Sequence, residues 1–294
     1  MITFIPAKIN IGLNIVARRP DGYHNLETLF YPIGKHNGTP ACPYPFGDIL
    51  EITPSQTGRM EFSFTGNAVD CPEEKNLVVK AARLFTTRLK EDKDTTLPPL
   101  LIHLDKHIPD GAGIGGGSAD ATFTLRMLNS LCPSPFDDET MKEMATSLGA
   151  DCPFFLHDIP MLGEGIGEIL TPFPPILEGK WLLLVKPPVY ISTREAFANI
   201  SVKASERPLS ELLRQPISHW KGGVHNDFEI SLQDRFPQLG EIKKLLYKTG
   251  ALYASMSGSG SSLYGIYETA KDCHSAATIV KRELPEAASY EILL

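Results

Sequence analysis

The run Pro109-Asp110-Gly111-Ala112-Gly113-Ile114-Gly115-Gly116-Gly117-Ser118-Ala119 constrains this chain more than any other feature. It follows an alternating apolar stretch, Leu100 to Leu104, and precedes a segment whose Ala121, Leu125 and Leu128 recur at helical spacing. Strand, glycine loop and helix in that order gather successive backbone N–H groups at a helix start, which suits anionic oxygens. A flexible linker would also use glycine and serine, but it does not explain the flanking strand and helix. Ser118 is expected to N-cap that helix, which should end by Pro133. The loop lacks the lysine that a G-x-x-x-x-G-K-[ST] phosphate loop requires. Gly111, Gly113 and Gly116 satisfy G-x-G-x-x-G. They lie far from the N-terminal strand where a dinucleotide fold begins, so a nicotinamide oxidoreductase is disfavoured.

Near the N-terminus, residues 4 to 16 alternate with a period of two, placing Ile9, Ile11, Leu13 and Ile15 on one face and Lys8, Asn10 and Gly12 on the other. Arg19-Pro20-Asp21-Gly22 has the composition of a tight turn, so Tyr23 to Phe30 should return as a second strand, with Lys8 and His24 near one surface. A lysine on a strand is most often solvated. One that alternates with asparagine and glycine opposite a wall of isoleucines gives a buried strand a polar face, as an active site needs. Residues 35 to 47 read as an irregular insertion, with Gly38, Pro40, Pro43, Pro45 and Gly47. Helical spacing covers Asn76 to Lys90 and Met141 to Leu148; Gly149 stops the second, leaving Asp151 at a helix-to-loop junction before Cys152-Pro153. Beyond about residue 162 the pattern changes. Trp181 to Val185 reads as a buried strand, Arg194 to Asn199 as a helix, and Met256 to Ser262 as a second small-residue run. Two domains are expected, residues 1–162 and 163–294.

The chain has 294 residues, 42% hydrophobic and 21% charged, which argues against disorder, and no apolar stretch is long enough to span a bilayer. A net charge of -7 without a long basic run argues against a nucleic-acid partner. The start, Met1-Ile2-Thr3-Phe4-Ile5-Pro6, lacks the pattern of a signal peptide, so a cytoplasmic location is expected. Five cysteines at wide spacings contain no C-x-x-C pair and should be buried thiols; no H-E-x-x-H is present, and no metal site is expected.

Taken together, Pro6-Ala7-Lys8-Ile9-Asn10, Asp21-Gly22-Tyr23-His24, the loop 109–119, Leu148-Gly149-Ala150-Asp151 and Ser257-Gly258-Ser259-Gly260 resemble the GHMP kinase superfamily in order along the chain, as do Glu164 to Glu168 and His225 to Glu229. The N-terminal motifs are similar to the branch acting on a CDP-linked methylerythritol, whereas the galactose and mevalonate branches open differently. The resemblance implies a two-lobed α+β fold, with an N-terminal ATP-binding lobe and a smaller C-terminal α/β lobe. It implies transfer of the γ-phosphate of ATP, with Mg2+ as its companion, to a hydroxyl of that small molecule in the non-mevalonate route to isoprenoid precursors. By matching position, Lys8 and Asp151 become the catalytic pair, and Asn10, Tyr23, His24, Thr193 and Phe197 the substrate-binding residues. Asn76, Leu77 and Lys106 fall near the adenine; Pro109, Gly111, Ala112, Gly113, Ile114, Gly115, Gly116, Gly117, Ser118 and Ala119 hold the phosphates. Asp110 stands where the family pattern is apolar, and a carboxylate there repels ATP unless it points away. The rivals are another GHMP-type kinase, acting on mevalonate, homoserine or a sugar, and a non-catalytic ligand sensor on the same fold; a sensor would be expected to lose Lys8 or Asp151.

Overall fold

A computed structural model describes residues 1–34, 46–69, 71–133, 135–198, 200, 202 and 207–294. In chain order the elements are β1 (Ile2–Ile5), β2 (Ala7–Arg18), β3 (His24–Ile33), β4 (Asp48–Pro54), β5 (Glu61–Gly66), α1 (Leu77–Lys93), β6 (Leu100–Lys106), α2 (Gly116–Leu131) and α3 (Asp138–Leu148). There follow β7 (Met161–Glu164), β8 (Ile169–Pro172), β9 (Trp181–Lys186), α4 (Thr193–Ala198), α5 (Leu209–Leu213), α6 (Asp227–Leu232), α7 (Pro237–Lys248), β10 (Tyr253–Met256), β11 (Leu263–Tyr267), α8 (Ala270–Glu283) and β12 (Ala288–Leu293).

These elements form two compact units that are not consecutive parts of the chain. One comprises residues 1–7, 47–110 and 115–158; the other comprises 8–46, 111–114 and 159–294. The N-terminal alternating run is split at Pro6, which has no N–H to give to a ladder. Before it, β1 pairs antiparallel with β4; after it, β2 is a neighbour of β3 in another sheet. Of the insertion 35–47, residues 35–45 lie outside the described residues, as does Asn199 at the end of the expected helix 194–199.

The first unit holds a sheet in the order β1-β4-β6-β5, with β4 and β6 antiparallel and β5 and β6 parallel. The alternation of β6 turns Leu100, Ile102, Leu104 and Lys106 to the buried face. α1 covers the core with Val78, Val79, Ala82, Phe85 and Leu89, and α2 is buried along most of its length. Strand periodicity therefore drives the Lys106 ammonium into an apolar interior, which costs several kcal/mol unless the charge is paired. Two carboxylates meet it. Nζ donates to Asp48 Oδ2 at 2.5 Å and to Asp120 Oδ2 at 2.8 Å. Asp48 Oδ1 in turn accepts from the backbone N–H of His107 and Ile108, at 2.6 and 2.7 Å. Burial acts to lower the Lys106 pKa, but Asp120 and Asp48 outweigh it and hold the ammonium above its ordinary value.

The second unit contains the antiparallel sheet β10-β11-β9-β12 and a second sheet in the order β2-β3-β7-β8. The expected strand at 181–185 is found as β9, buried throughout those residues because it lies inside its sheet. Its core gathers Trp181, Leu183, Val185, Ile242, Leu246, Tyr267 and Val280 with Leu13 and Ile15 of β2. Cys132, Cys152 and Cys273 are buried as expected, whereas Cys71 is exposed in a polar turn; Cys42 lies outside the described residues. Among the described residues no helix is long and apolar enough to cross a membrane.

The buried charges of the first unit make a prediction about stability. Burial pushes the Asp120 carboxyl up to about 8, against the pull of Lys106 and with a further push from Asp48. Between the ordinary carboxylate range and that value the folded chain keeps a proton that the unfolded chain has released, so stability falls as pH rises through this window and levels off above it. Asp120→Asn removes the effect. The Tm of the wild type minus that of Asp120→Asn should therefore decline from about pH 5 to about pH 8 and then stay flat. A difference that does not change with pH contradicts the assignment.

Candidate active site

In the second unit the polar face of β2 is buried. Lys8 is 2% exposed and Asn10 3%. The Lys8 ammonium donates to Asn10 Oδ1 at 2.6 Å and to the carbonyl of Gly113 at 3.4 Å, and it lies 5.4 Å from the centre of the Phe30 ring. Its backbone N–H reaches the carbonyl of Ile114 at 3.0 Å, so β2 runs directly against the middle of the glycine loop. Asn10 Nδ2 donates to Thr28 Oγ1 at 3.1 Å, and Thr28 Oγ1 donates to the carbonyl of Gly12 at 2.5 Å. The amide group beside the lysine is thereby fixed in one orientation.

The small-residue run 256–262 explains itself here. Ser257 Oγ donates to the Gly113 carbonyl at 2.8 Å and accepts from the Asn10 N–H at 3.2 Å. Gly113 has a φ of 72°, and a Cβ on it would stand 2.3 Å from the carbonyl oxygen of Ser257, so only glycine lets these backbones approach. Asn226 Nδ2 donates to the carbonyls of Met256 and Gly258, at 2.9 and 2.8 Å, while its Oδ1 caps α6 through the Phe228 N–H. Sequence reasoning gave no role to Ser257 or Asn226. The signals were the Ser-Gly-Ser-Gly run and the His225-Asn226-Asp227 motif. Ala112 and Ile114 are buried, and Gly111 lies under the ring of Tyr190, which is itself 71% exposed.

The same unit brings His24 and Phe197 together. Their rings stack with centroids 4.9 Å apart at 22°, and Phe197 meets Phe228 edge-on at 4.8 Å. Tyr23, beside His24 at the end of the hairpin turn, is 61% exposed. Thr193 is the first residue of α4 and is exposed. A half-buried aromatic pair with an exposed tyrosine nearby offers planar surface to a planar base.

In the first unit, the loop ends at Gly115, which caps α2 with a φ of 74°. The expectation that Ser118 is the N-cap is corrected: the helix begins at Gly116, because Gly115 takes a left-handed conformation that closes the turn earlier. Ser118 sits in the first turn, and Ala119 N–H already bonds the carbonyl of Gly115 at 2.9 Å. The amides of Gly116, Gly117 and Ser118 have no acceptor within the helix and lie at the positive end of its dipole, which fits an anionic group. Pro109 is half-buried, and Asp110 is exposed.

Asn76 caps α1, its Oδ1 accepting from the Val78 N–H at 2.9 Å, a contact worth about 1 kcal/mol to the helix. Leu77 follows at the first helical position, close enough that a methyl group on Gly117 would lie 3.6 Å from its Cδ1, so the starts of α1 and α2 are neighbours. Lys106, by contrast, is 3% exposed, with its ammonium engaged by Asp48 and Asp120.

Asp151 is also in this unit, half-buried in the turn between α3 and the short 3-10 segment Cys152–Leu156. Thr122 Oγ1 of α2 donates to the carbonyl of Cys152 at 2.9 Å, and the Cys152 N–H bonds the carbonyl of Gly149 at 3.1 Å. These two bonds fix the aspartate's backbone against the helix that starts at the glycine loop. Burial pushes the Cys152 thiol up to about 11, with Ser118 acting against it, so that sulfur stays a protonated packing group. Among the described residues, no group of three or more His, Cys, Asp or Glu side chains converges as a metal cage.

Known proteins resemble this chain in sequence and in fold. Residues 76–158 match the GHMP kinases N terminal domain and residues 204–287 the GHMP kinases C terminal domain. A 4-diphosphocytidyl-2-C-methyl-D-erythritol kinase of Parabacteroides distasonis is 47% identical over 268 residues, 91% of this chain and 92% of the relative. One from Bacteroides fragilis is 48% identical over 269 residues, with the same coverage. A crystal structure of 4-(cytidine 5'-diphospho)-2C-methyl-D-erythritol kinase superposes with a TM-score of 0.79 at 28% identity, covering all of both chains. A homoserine kinase from Cytophaga hutchinsonii shares the fold, with a TM-score of 0.68 at 18% identity over 98% of this chain and 94% of that one. The expected two-lobed α+β fold is thus present, and the chain belongs to the 4-diphosphocytidyl-2-C-methyl-D-erythritol kinase family of the GHMP kinases.

Proposed function

We propose that this chain transfers the γ-phosphate of ATP to the 2-hydroxyl of 4-diphosphocytidyl-2-C-methyl-D-erythritol, a step of the non-mevalonate route to isoprenoid precursors. GHMP kinases use ATP as phosphoryl donor. The observation that most supports the reading is the buried Lys8 ammonium, hydrogen-bonded to Asn10 and to the carbonyl of Gly113 inside the glycine loop. The Tyr23, His24 and Phe197 rings favour a CDP-linked acceptor over mevalonate, homoserine or a sugar, none of which carries a base to stack.

In the proposed reaction the amides at the start of α2 hold phosphate oxygens, with Asn76 and Leu77 near the adenine. The substrate hydroxyl oxygen bonds to the γ-phosphorus, the bond from that phosphorus to the β–γ bridging oxygen breaks, and ADP leaves. Asp151 accepts the hydroxyl proton. Lys8 stabilises the negative charge that develops on the oxygen. Positioning and charge stabilisation supply most of the acceleration, since phosphoryl transfer leaves little covalent work to the protein. Asn10 and Thr193 line the substrate. Mg2+ arrives with ATP; the residues described here form no cage for it, and no step is assigned to it. A cytoplasmic location, a small-molecule partner and no nucleic-acid partner belong to the same reading.

Lys8→Ala and Asp151→Asn should each lower kcat by roughly a hundredfold or more, the usual scale for acid–base groups, in a coupled assay of ADP release. A near-normal kcat in either variant removes that residue from the mechanism. Phe197→Ala should raise KM for the CDP-linked substrate about fivefold, the equivalent of about 1 kcal/mol of stacking, and leave KM for ATP unchanged. Equal changes in both constants would contradict a base-binding role.

A further inference from the structure

The Lys106 ammonium is buried between Asp48 and Asp120. Its position in the fold points to a task of its own. It is the last residue of β6, immediately before the glycine loop, while Asp120 lies in the opening turns of α2, immediately after it. A Cβ on Gly116 would stand 3.1 Å from Lys106 Nζ, so the ammonium sits directly under the first residue of the helix. Asp48 adds a third tie: its Oδ1 takes the N–H groups of His107 and Ile108, the first residues after the strand. The faces that α1 and α3 turn inward are apolar, so Lys106 and Asp48 are the charged groups that act on Asp120.

We propose that Lys106, Asp48 and Asp120 form a buried staple across the two ends of the glycine loop, and that Asp120 is a positioning residue for the nucleotide phosphates, which it does not touch. The proposal rests on the reading that the start of α2 holds those phosphates. Glycine at 111, 113, 115, 116 and 117 makes the loop intrinsically permissive, and loose amides lose much of their binding energy in ordering themselves. The staple supplies that order before the ligand arrives. Asp120 Oδ2 fixes the helix start to the strand end through a charge-assisted bond of 2.8 Å, so its loss should act on phosphates and not on the base.

The test compares binding of ADP and of adenosine by wild type, Asp120→Ala and Asp120→Asn. Asparagine keeps an oxygen acceptor for Lys106, and alanine does not. Wild type should bind ADP far more tightly than adenosine. Asp120→Ala should lose about tenfold in ADP affinity while adenosine binding is unchanged, and Asp120→Asn should recover most of the ADP affinity. Equal losses for ADP and adenosine in Asp120→Ala would show a merely structural role and overturn the proposal, as would an unchanged ADP affinity. If wild type binds ADP no more tightly than adenosine, the phosphate reading of the loop itself falls, and the staple's role with it. Should Asp120→Ala fail to fold, Asp120→Asn and Asp120→Ser decide instead: recovery in Asn with loss of ADP affinity alone in Ser supports the staple, and equal behaviour of the two contradicts it.

Discussion

The carbonyl of Gly113 is the point on which the packing around Lys8 depends. It accepts the Ser257 hydroxyl at 2.8 Å and the Lys8 ammonium at 3.4 Å, so one backbone oxygen ties β2, the glycine loop and the run 256–262 together. No side chain fits at this position, because the next backbone is already within van der Waals distance. Lys8 consequently has a fixed place on a strand that is otherwise apolar. Asn10 both receives that ammonium and, through its N–H, leans on Ser257. The network is closed by Asn226, which holds the carbonyls of Met256 and Gly258.

Two buried lysines sit in different surroundings. Lys8 donates to an amide oxygen and a backbone carbonyl and lies beside an aromatic ring. An ammonium held in place in this way is useful where negative charge develops in a reaction. Lys106 is met by two carboxylates, which cancel its charge and leave a rigid neutral or acidic cluster suited to structure. Residue type alone does not separate these cases. What separates them is the company that the fold brings.

Much of this was legible in the chain itself. The alternation at 4–16, the turn at 19–22 and the glycine loop are local patterns; the turn and the loop are found where expected, and the alternation is found in two strands, β1 and β2. The errors arose where a local rule competed with another. Ser118 is a good N-cap by type, but Gly115 reaches a left-handed conformation first. The alternation runs on through Pro6, but proline cannot continue the ladder and the two parts belong to different sheets. Other contacts left no local trace: Lys106 and Asp48 are 58 positions apart, and Asn10 and Ser257 are 247 apart. Long-range pairings of this kind follow from topology, which composition and period do not specify.

In the proposed reaction the acceptor, not the nucleotide, distinguishes this kinase, and Tyr23, His24 and Phe197 make that choice. The most direct measurement is ADP release from ATP with 4-diphosphocytidyl-2-C-methyl-D-erythritol, mevalonate, homoserine or galactose as the only acceptor, in one coupled assay. ADP release with the CDP-linked acceptor alone is the predicted result. Turnover of mevalonate or homoserine, with none on the CDP-linked compound, would contradict it.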